Sequence, residues 1–495
     1  MKDSESIRAC LASGRLLSAF AVTALAACAV GPNFRAPAPP ETTRYTPDPQ
    51  PKVTAAAPGP AGAAQTLVPD RDIPADWWTM FQSEPLDQLV RRALRGSPTV
   101  DAARAALRSA QASYEAGRGS LLVPALDAQA AATRERVPGA AFGQPSLPGS
   151  VFTLFNASVN VSYRLDVFGG SRRQLEALRA QTDFQKWELE AAGLSLTGNV
   201  VTTAISVASL RAQIAAVADI VAGEREQLKV VERQFAAGGV SRVDVLAQSS
   251  LLAQTEATLP ELEKALAQAE NRLAVLAGHP PDRSELADFE LQGLTLPTEL
   301  PLSVPTKLVR QRPDVEAAEA LLHQASAQIG VATANLFPQL NLSGLIGSES
   351  VVAGDLFGTG TATWSAGAAL LQPLFHGGEL TARRRAAIAD FDRAAAQYRE
   401  TVLSALQDVA DTLRALEADA RNLRAQAQAE ALAADSLEIT KKAYRAGGVS
   451  YVALLIAQRQ YDQARQSRVQ AEAARYADSA ALLQALGGGW WNRRD

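Results

Sequence analysis

Few residues in this sequence could perform covalent or metal-dependent chemistry. Its 495 residues include two cysteines and three histidines. The histidines, His279, His323 and His376, are far apart, and none has a partner at metal-ligand spacing. No G-x-S-x-G nucleophile motif or glycine-rich phosphate loop opens a helix after a predicted strand. We therefore predict that the protein is not an enzyme, has no metal and no cofactor, and keeps its histidines in structural or solvent-facing positions.

The two cysteines, Cys10 and Cys28, lie near the N-terminus, where the pattern indicates targeting. Residues 2–15 carry three basic side chains, and residues 16–27 form an apolar stretch too short to span a bilayer but typical of a secretory signal. The stretch ends in Leu-Ala-Ala before Cys28, which resembles the bacterial lipobox. We expect a signal peptide over residues 1–27 and lipid attachment at Cys28, with an ordinary signal peptide as the alternative. Residue 29 is Ala, whereas an Asp there would resemble an inner-membrane retention signal, so outer-membrane delivery is permitted.

The composition favours a large folded protein without affinity for polyanions. Apolar residues make up 47% of the chain and charged residues 20%, so wholesale disorder is excluded. Lys and Arg number 48 against 52 Asp and Glu, giving a net charge of −4. Because no global basic field exists, nucleic acid is not an expected partner.

Two proline-rich stretches divide the chain. Residues 31–74 contain 11 of the 26 prolines, which predicts an extended, poorly packed tether over residues 28–75. The second stretch, at residues 279–312, predicts a linker between a first module at 76–278 and a second module at 313–487. A short tail, 488–495, follows.

The two modules match each other in sequence, which indicates an internal duplication. Ser97-Pro98-Thr99-Val100 corresponds to Arg312-Pro313-Asp314-Val315, and Gly238-Gly239-Val240-Ser241 corresponds to Gly447-Gly448-Val449-Ser450. The offsets drift by only a few residues over the module. A repeat of about 210 residues is too long for a solenoid unit, so we expect two copies of one large supersecondary module.

Each module contains alternating segments that predict strands with one apolar and one polar face. Strands are expected at about 124–134, 153–166, 338–348 and 361–373. The polar positions that we expect to line a lumen are Asn156, Ser158, Asn160, Ser162, Asn341 and Ser343.

Long helical segments follow the strands. Residues 170–235 and 379–444 contain no proline, and from Leu196 apolar residues recur at alternating steps of four and three. A heptad pattern sustained this far indicates supercoiled packing against other long helices. Each helix then turns, at 237–241 and 446–450, and is expected to return as one helix of about 37 residues. A Gly followed by a Ser suits a helix end and the next N-cap.

The predicted strands indicate that several copies of the chain assemble into one barrel. No run after the signal reaches the 18 or so apolar residues of a spanning helix, so we expect membrane crossing by strands. Four strands cannot close a barrel, and an open edge in lipid leaves backbone groups unpaired. Several chains must therefore share one barrel, and three chains would supply twelve strands. The predicted fold class is mainly α with a transmembrane β-barrel, built from a duplicated module of long helices plus two strands.

The chain resembles the TolC-like outer-membrane factors of tripartite efflux systems, in their lipoprotein (OprM/NodT-type) branch. The resemblance covers essentially the whole mature chain. It rests on these motifs in order: Cys28-Ala-Val-Gly-Pro-Asn-Phe34, Asp76-Trp77-Trp78, Arg312-Pro313-Asp314-Val315, Phe337-Pro338, Gln372-Pro373-Leu374-Phe375-His376-Gly377-Gly378 and Ala485-Leu486-Gly487-Gly488-Gly489-Trp490.

The resemblance implies a homotrimer whose 12-stranded outer-membrane barrel joins a periplasmic α-helical barrel. The function implied is the exit duct of an efflux pump for small molecules. The partners implied are outer-membrane lipid, a periplasmic adaptor (membrane fusion) protein and an inner-membrane pump, proton-driven and of the resistance-nodulation-division type. The adaptor would contact the tips Gly238, Gly239, Val240, Ser241, Gly447, Gly448, Val449 and Ser450, unless these residues only cap and turn the helices.

One departure concerns the closed end of the channel. The family's type member carries two aspartates after the second tip, and the matching residues here are Ala453 and Ile456. We therefore expect closure by packing of helix ends rather than by an acidic ring. Asp244 in the first module is better explained as a helix-start carboxylate favoured by the helix dipole.

Two other functions compete with small-molecule efflux. An outer-membrane duct for type I protein secretion would use the same architecture. A periplasmic coiled-coil lipoprotein scaffold that conducts nothing would explain the heptads, but it leaves the apolar faces of the strands without a purpose.

Overall fold

A computed structural model describes residues 29–143, 146, 148–283 and 289–493 of the chain. The described part is mainly helical, with two long helices that follow the strand pairs. Its α-helices, in chain order, are α1 (Glu84–Gly96), α2 (Pro98–Leu122), α3 (Gly170–Ala236), α4 (Arg242–Glu256), α5 (Leu259–Leu276), α6 (Pro305–Gln311), α7 (Pro313–Ala334), α8 (Glu379–Arg445) and α9 (Tyr451–Ala485).

Six strands form two sheets. The strands are β1 (Thr66–Pro69), β2 (Ala125–Val137), β3 (Ser150–Leu165), β4 (Glu299–Leu302), β5 (Gln339–Ser350) and β6 (Ala362–Leu371). β1 pairs with β4 in parallel, while β2, β3, β5 and β6 form an antiparallel sheet in that order. In the larger sheet, β2 extends three residues beyond the expected end and β3 begins three residues before the expected start.

The long helices α3 and α8 have 67 residues each. At 1.5 Å per residue each is about 100 Å long. The heptad stripe of α3 supplies buried core residues such as Leu196, Val200, Val217 and Val231. An 18-residue window of α3 is apolar enough to cross a membrane, contrary to our expectation, but 61% of that window is buried inside the protein, as in a core helix.

The helices that return from the two turns differ, and this corrects one expectation. The second return is a single helix of 35 residues, α9. The first return is interrupted, because α4 ends at Glu256 and α5 begins at Leu259 with Pro260 in its first turn. Proline has no N–H to continue the helical ladder, and it disfavours helical geometry at the residue before it.

The chain divides into two compact units that differ from the two sequence modules, since each unit takes segments from both modules. One unit comprises residues up to 37 together with 106–185 and 317–398, and it contains the four-stranded sheet. The other comprises 38–105, 186–316 and 399 onward, and it contains both turns between the long helices and their return helices.

The prediction of a poorly packed tether before residue 75 is wrong. Ile73 and Gln65 are fully buried, and Tyr45 donates a hydrogen bond to the Ser303 carbonyl at 2.8 Å. The buried Arg475 guanidinium donates to the carbonyl oxygens of Ala61 and Ala63 and to the side chain of Gln65. Prolines prevent regular ladder pairing, but an extended chain can still pack on helices when buried donors satisfy its carbonyls.

Candidate functional site

The antiparallel register places all six predicted lumen residues on one face of the four-stranded sheet. Asn156, Ser158, Asn160 and Ser162 alternate along β3, and Ser162 pairs with Ser343 on β5. Asn341 lies two residues before Ser343, on the same face. Short polar side chains therefore form a continuous polar surface across the two central strands.

Hydrogen bonds order part of this polar surface. The Asn156 side-chain amide donates to Glu349 at 2.8 Å, and the Ser158 hydroxyl donates to Asn156 at 3.1 Å. Because Asn156 is opposite Glu349 in the register, the contact joins β3 to β5 directly across the sheet.

The same face carries four charged residues that the sequence analysis did not select as lumen residues. They are Asp127, Glu135, Arg164 and Glu349. Asp127 is opposite Asn160, and Glu135 is opposite Phe152. All four residues could have been found from the sequence alternation. Every second residue of β3 lies on the polar face, and the residues paired with them on β2 and β5 lie on the same face.

The opposite face of the sheet is apolar and has no covering in the described residues. Leu126, Ile346, Trp364 and Leu370 are each more than two-thirds exposed. All four lie at positions that the register places on one face with Val159 and Val161. A continuous apolar face of this kind suits contact with lipid hydrocarbon.

The sheet ends in two unpaired strands. Among the residues that the structure describes, β2 pairs with β3 alone and β6 pairs with β5 alone. In lipid, each unpaired backbone group would cost several kcal/mol. The outer edges of β2 and β6 must therefore pair with other copies of the chain, which closes the sheet into a shared barrel.

The two helix turns share one backbone design. Gly238 and Gly447 both have a φ of +73°, which favours glycine. After each, the next glycine N–H returns to the helix: Gly239 donates to the Gln234 carbonyl at 2.8 Å and Gly448 donates to the Ala443 carbonyl at 2.9 Å. These are the bonds of a Schellman helix end.

Both turns continue into N-caps made by serine, with one difference. The Ser241 hydroxyl accepts from the Asp244 N–H at 3.3 Å, while Asp244 accepts from the Ser241 N–H at 2.9 Å. This reciprocal pair is a capping box, so Asp244 does serve the start of a helix. At the second turn the Ser450 hydroxyl accepts from the Ala453 N–H at 3.3 Å, and Ala453 cannot reciprocate.

A hydrophobic cluster packs the second turn against the end of α3. Its buried members are Val231, Leu437, Tyr451, Leu454 and Ala457. The Tyr451 ring lies 5.5 Å from the Tyr444 ring, measured between centroids. Its hydroxyl donates to Gln248 on α4, so α9 contacts both helices of the first hairpin.

Each turn also exposes one valine at a repeat-matched position. Val243 is 70% exposed and Val452 is 52% exposed, and each is the second residue after its N-cap serine. The sequence analysis did not select either residue. The repeat alignment could have found them, because it places apolar residues at both positions.

A buried acid interrupts the apolar stripe of α3. Glu224 is 3% exposed, and its Oε1 accepts from the Thr255 hydroxyl at 3.1 Å. Its Oε2 has no hydrogen-bond partner among the described residues. Burial raises the pKa of Glu224 to about 7, aided by the carboxylates of Asp462 and Glu256. The Glu224 carboxyl therefore keeps its proton to higher pH than an exposed glutamate does.

Cys28 lies outside the described residues, but the residues just after it are firmly held. The Val30 N–H donates to the Phe168 carbonyl at 3.0 Å. The Arg173 guanidinium donates to the carbonyls of Val30 and Gly31 and to Asn33. The chain is thus fixed beside the junction between β3 and α3 within two residues of the proposed lipid site.

His323 has a structural contact in this region. Its Nε2 lies 2.9 Å from Glu176, and its ring stacks on Phe34 with centroids 4.4 Å apart. Across the described ranges, no group of three or more His, Cys, Asp or Glu residues is placed to hold a metal ion.

These features together define a subunit of an oligomeric membrane channel: an incomplete sheet with one polar and one apolar face, in a chain that also contains two long helices. The sequence model of the family described as "Outer membrane efflux protein" matches residues 89–279 and 304–488. The chain belongs to this family. The two matched segments correspond to the two repeats seen in the sequence.

Individual relatives agree with this assignment. The chain is 32% identical to the pyoverdine export outer membrane protein OpmQ of Pseudomonas aeruginosa, over 84% of this chain and 88% of that protein. It is 27% identical to nodulation protein T of Rhizobium leguminosarum bv. trifolii, over 93% of both chains. The solved structure of the outer-membrane channel OprN superposes with a TM-score of 0.83 at 28% identity, covering 94% of this chain and 100% of that one.

The protein is accordingly an outer-membrane channel that forms the exit duct of a tripartite efflux pump. Family members are trimeric and work with a periplasmic adaptor and an inner-membrane pump. The family consists of channels rather than enzymes.

Proposed function

We propose that this channel docks its periplasmic adaptor through the two helix turns, residues 238–241 and 447–450. The observation that carries this proposal is the repetition of one exposed surface. Each turn presents Gly-Gly-Val-Ser and then an exposed valine, Val243 or Val452. Removing an exposed apolar side chain from water is favourable, so a repeated exposed valine favours contact with a partner surface.

The number of turns supports a particular adaptor arrangement. Two turns per chain give six similar docking surfaces in a trimer. Six surfaces suit six adaptor protomers, each contacting one turn. We propose that the inner-membrane partner is a proton-driven pump of the resistance-nodulation-division type, in line with the lipoprotein branch that the sequence resembles.

The duct itself is proposed to export small molecules without strong selection. Asn156, Ser158, Asn160, Ser162, Asn341 and Ser343 are proposed to line the barrel lumen. These six side chains are short and neutral, so they offer hydrogen bonds but no pocket that would bind one solute tightly. The charged residues of the same face include both signs, three acids and Arg164, so they do not select for one kind of charge alone. Selection of cargo would then belong to the pump.

The remaining assignments concern attachment and closure. Cys28 is proposed to carry the lipid anchor at the start of the mature chain, and residues 279–312 to form an equatorial linker between the modules. Closure of the periplasmic end is proposed to depend on packing at the second turn, where Tyr451, Leu454 and Ala457 lie in the buried cluster. Ala453 and Ile456 supply no carboxylate for an acidic ring.

Cysteine cross-linking in intact cells tests the docking proposal. Ser241→Cys and Ser450→Cys place thiols at the two turns, and Gln268→Cys places one on an exposed position of α5, 27 residues beyond Ser241. We expect short cross-linkers to join both turn variants to the adaptor and to leave Gln268→Cys unlinked. Absence of adducts from both turns, in cells that still export drug, would reject tip docking.

Export measurements test the proposed cargo. A strain lacking the gene should accumulate dyes and small toxic compounds several-fold more than the wild type, and its secretion of proteins should be unchanged. Loss of protein secretion with normal dye export would instead favour a type I secretion duct. Normal export of both, with no channel conductance in planar bilayers, would favour the scaffold.

A further inference from the structure

The apolar face of the barrel sheet carries charge at one end only. The register assigns every second residue of β2, β3, β5 and β6 to this face. Among those positions, Arg134 and Arg136 on β2 are the two charged residues, and no Asp or Glu occurs. The neighbouring acid, Glu135, lies on the opposite, polar face because side chains alternate along a strand.

Both arginines lie at the loop end of the sheet. Arg134 is opposite Thr153 and Arg136 is opposite Val151, next to the loop that joins β2 to β3. The other ends of these strands continue into α2 and α3. Because the helices of this family extend into the periplasm, the loop end faces the cell exterior.

The spacing along β2 places the arginines at the border of the hydrocarbon region. Leu126 is the first apolar residue of this face, and Arg134 and Arg136 follow eight and ten residues later. At about 3.4 Å per residue and a tilt of about 45°, these separations correspond to heights of about 19 Å and 24 Å. The apolar band of an outer-membrane barrel is about 25 Å tall, so the guanidinium groups reach its outer border.

No carboxylate neutralises these side chains within the described part of the chain. Arg134 has one hydrogen bond, a 3.4 Å contact to the Thr153 hydroxyl, and Arg136 has no ion pair. The strand that completes the barrel beside β2 is β6, which contains no charged residue, and the acid that precedes it, Asp355, lies seven residues before its first residue in the β5–β6 loop. An exposed arginine at a membrane border without a carboxylate partner attracts anionic lipid headgroups, because the guanidinium charge stays uncompensated by the protein.

We propose that Arg134 and Arg136 form a binding site for outer-leaflet lipid whose headgroup carries phosphate monoesters. The planar guanidinium binds phosphate oxygens through two parallel hydrogen bonds, and the Thr153 hydroxyl lies beside Arg134 as a further donor. The inference rests on the outer-membrane location of the barrel. It adds a lipid site to the outside of the channel, separate from the lumen and from the turns.

Binding of defined lipids to the purified full-length trimer tests the site. The probe is diphosphoryl lipid A, with fully dephosphorylated lipid A for comparison, and occupancy is read by native mass spectrometry. The variant is Arg134→Gln with Arg136→Gln. The control is Arg164→Gln, which removes one arginine charge from the polar face of the same sheet, and each single variant, Arg134→Gln or Arg136→Gln, matches it in the number of charges removed.

We expect the double variant to bind diphosphoryl lipid A about tenfold or more weakly than the wild type, because two charge-assisted contacts are lost. Arg164→Gln should bind as the wild type does, and dephosphorylated lipid A should bind wild type and double variant equally. Equal affinity of wild type for both lipids would overturn the proposal, and this comparison needs no variant to fold. An equal loss in Arg164→Gln would overturn it as well.

Competition with inorganic phosphate distinguishes a lipid-binding site from a general anion-binding site. At 10 mM it should leave most diphosphoryl lipid A bound, since the acyl chains contribute apolar burial that the free ion lacks. Complete displacement by inorganic phosphate would contradict a lipid site. Export activity of the double variant provides a separate readout, and it should persist, so failure of this inference is distinguishable from failure of the transport function.

Discussion

The two turns of the chain have the same backbone but different support. The first turn is stabilised mainly by local bonds, because Ser241 and Asp244 exchange hydrogen bonds in a capping box. Phe235 before the turn is 43% exposed, and Val240 and Val245 are only partly buried where they pack against the cluster. The second turn lacks the box but is stabilised by packing, with Tyr444 and Tyr451 in contact. Duplication kept the turn geometry, while the two copies came to depend on different interactions.

The two turns should respond differently when the helix hairpins separate. Hydrogen bonds within one turn can persist when the helix hairpin moves as a unit, since both partners move together. Packing between α9 and the first hairpin must break if the hairpins separate. We therefore expect the second turn to respond more strongly than the first to changes that weaken helix packing.

The largest expected effect is the loss of Tyr451. This side chain is 4% exposed in the cluster, and removal of a buried aromatic ring costs about 3–5 kcal/mol. Tyr451→Ala should therefore lower the local opening free energy of residues 444–461 by about that amount. Amide hydrogen exchange of the full-length trimer measures it.

The control for this prediction is the repeat-matched residue of the first turn. Arg242 is exposed, so Arg242→Ala should change the local opening free energy by no more than about 0.5 kcal/mol. If both variants destabilise their turns equally, the proposed contrast between packing and local support is wrong.

The second effect depends on pH and concerns Glu224. Burial raises its pKa from 4.5 to about 7, so the folded hairpin binds a proton more tightly than the unfolded chain does. The stabilisation is complete below pH 4.5 and is lost as pH rises through 7. Between pH 5 and pH 8 the opening free energy of this region should fall by up to about 3 kcal/mol, and Asp462, whose pKa burial also raises, acts in the same direction.

Hydrogen exchange at several pH values, corrected for the intrinsic exchange rate, gives this dependence. Glu224→Gln should flatten most of it. Glu226→Gln on the same helix is the control, because Glu226 is exposed and Lys229 lowers its pKa, so its variant should leave the fall between pH 5 and pH 8 intact. A flat profile in the wild type would refute the assignment to Glu224.

The smallest expected effects come from removing the capping box at the first turn and completing one at the second turn. Asp244→Ala should destabilise the first turn by about 1 kcal/mol, since the Ser241 N–H loses its partner. Ala453→Asp should stabilise the second turn by about 0.5–1 kcal/mol by completing the box with Ser450. Exchange of the first-turn amides of α4 and α9 reports both changes, and destabilisation by Ala453→Asp would mean that packing at the second turn excludes the side chain.

Periodic patterns allowed prediction of the architecture from the sequence. Alternation placed Asn156 and Ser162 on one face, and the heptads predicted helices whose observed bounds, Gly170–Ala236 and Glu379–Arg445, differ by one residue or so from expectation. These patterns succeed because burial on one face is a local property of the chain.

Features that depend on residues far away along the chain were not predicted from the sequence. The proline-rich segment before residue 75 packs because Arg475, about 400 residues away, satisfies its carbonyls. Glu224 occupied an apolar stripe position, but its burial depends on α4 and α9. The break at Pro260 was visible in the sequence, and the prediction of one continuous return helix overlooked it.

The sharing of one barrel by three copies of this chain follows from the unpaired edges of β2 and β6. Native mass spectrometry of the protein extracted from outer membranes in mild detergent tests it most directly. We expect a mass of three chains that is retained as the protein concentration falls. A single chain that remains folded and soluble after detergent removal would contradict it.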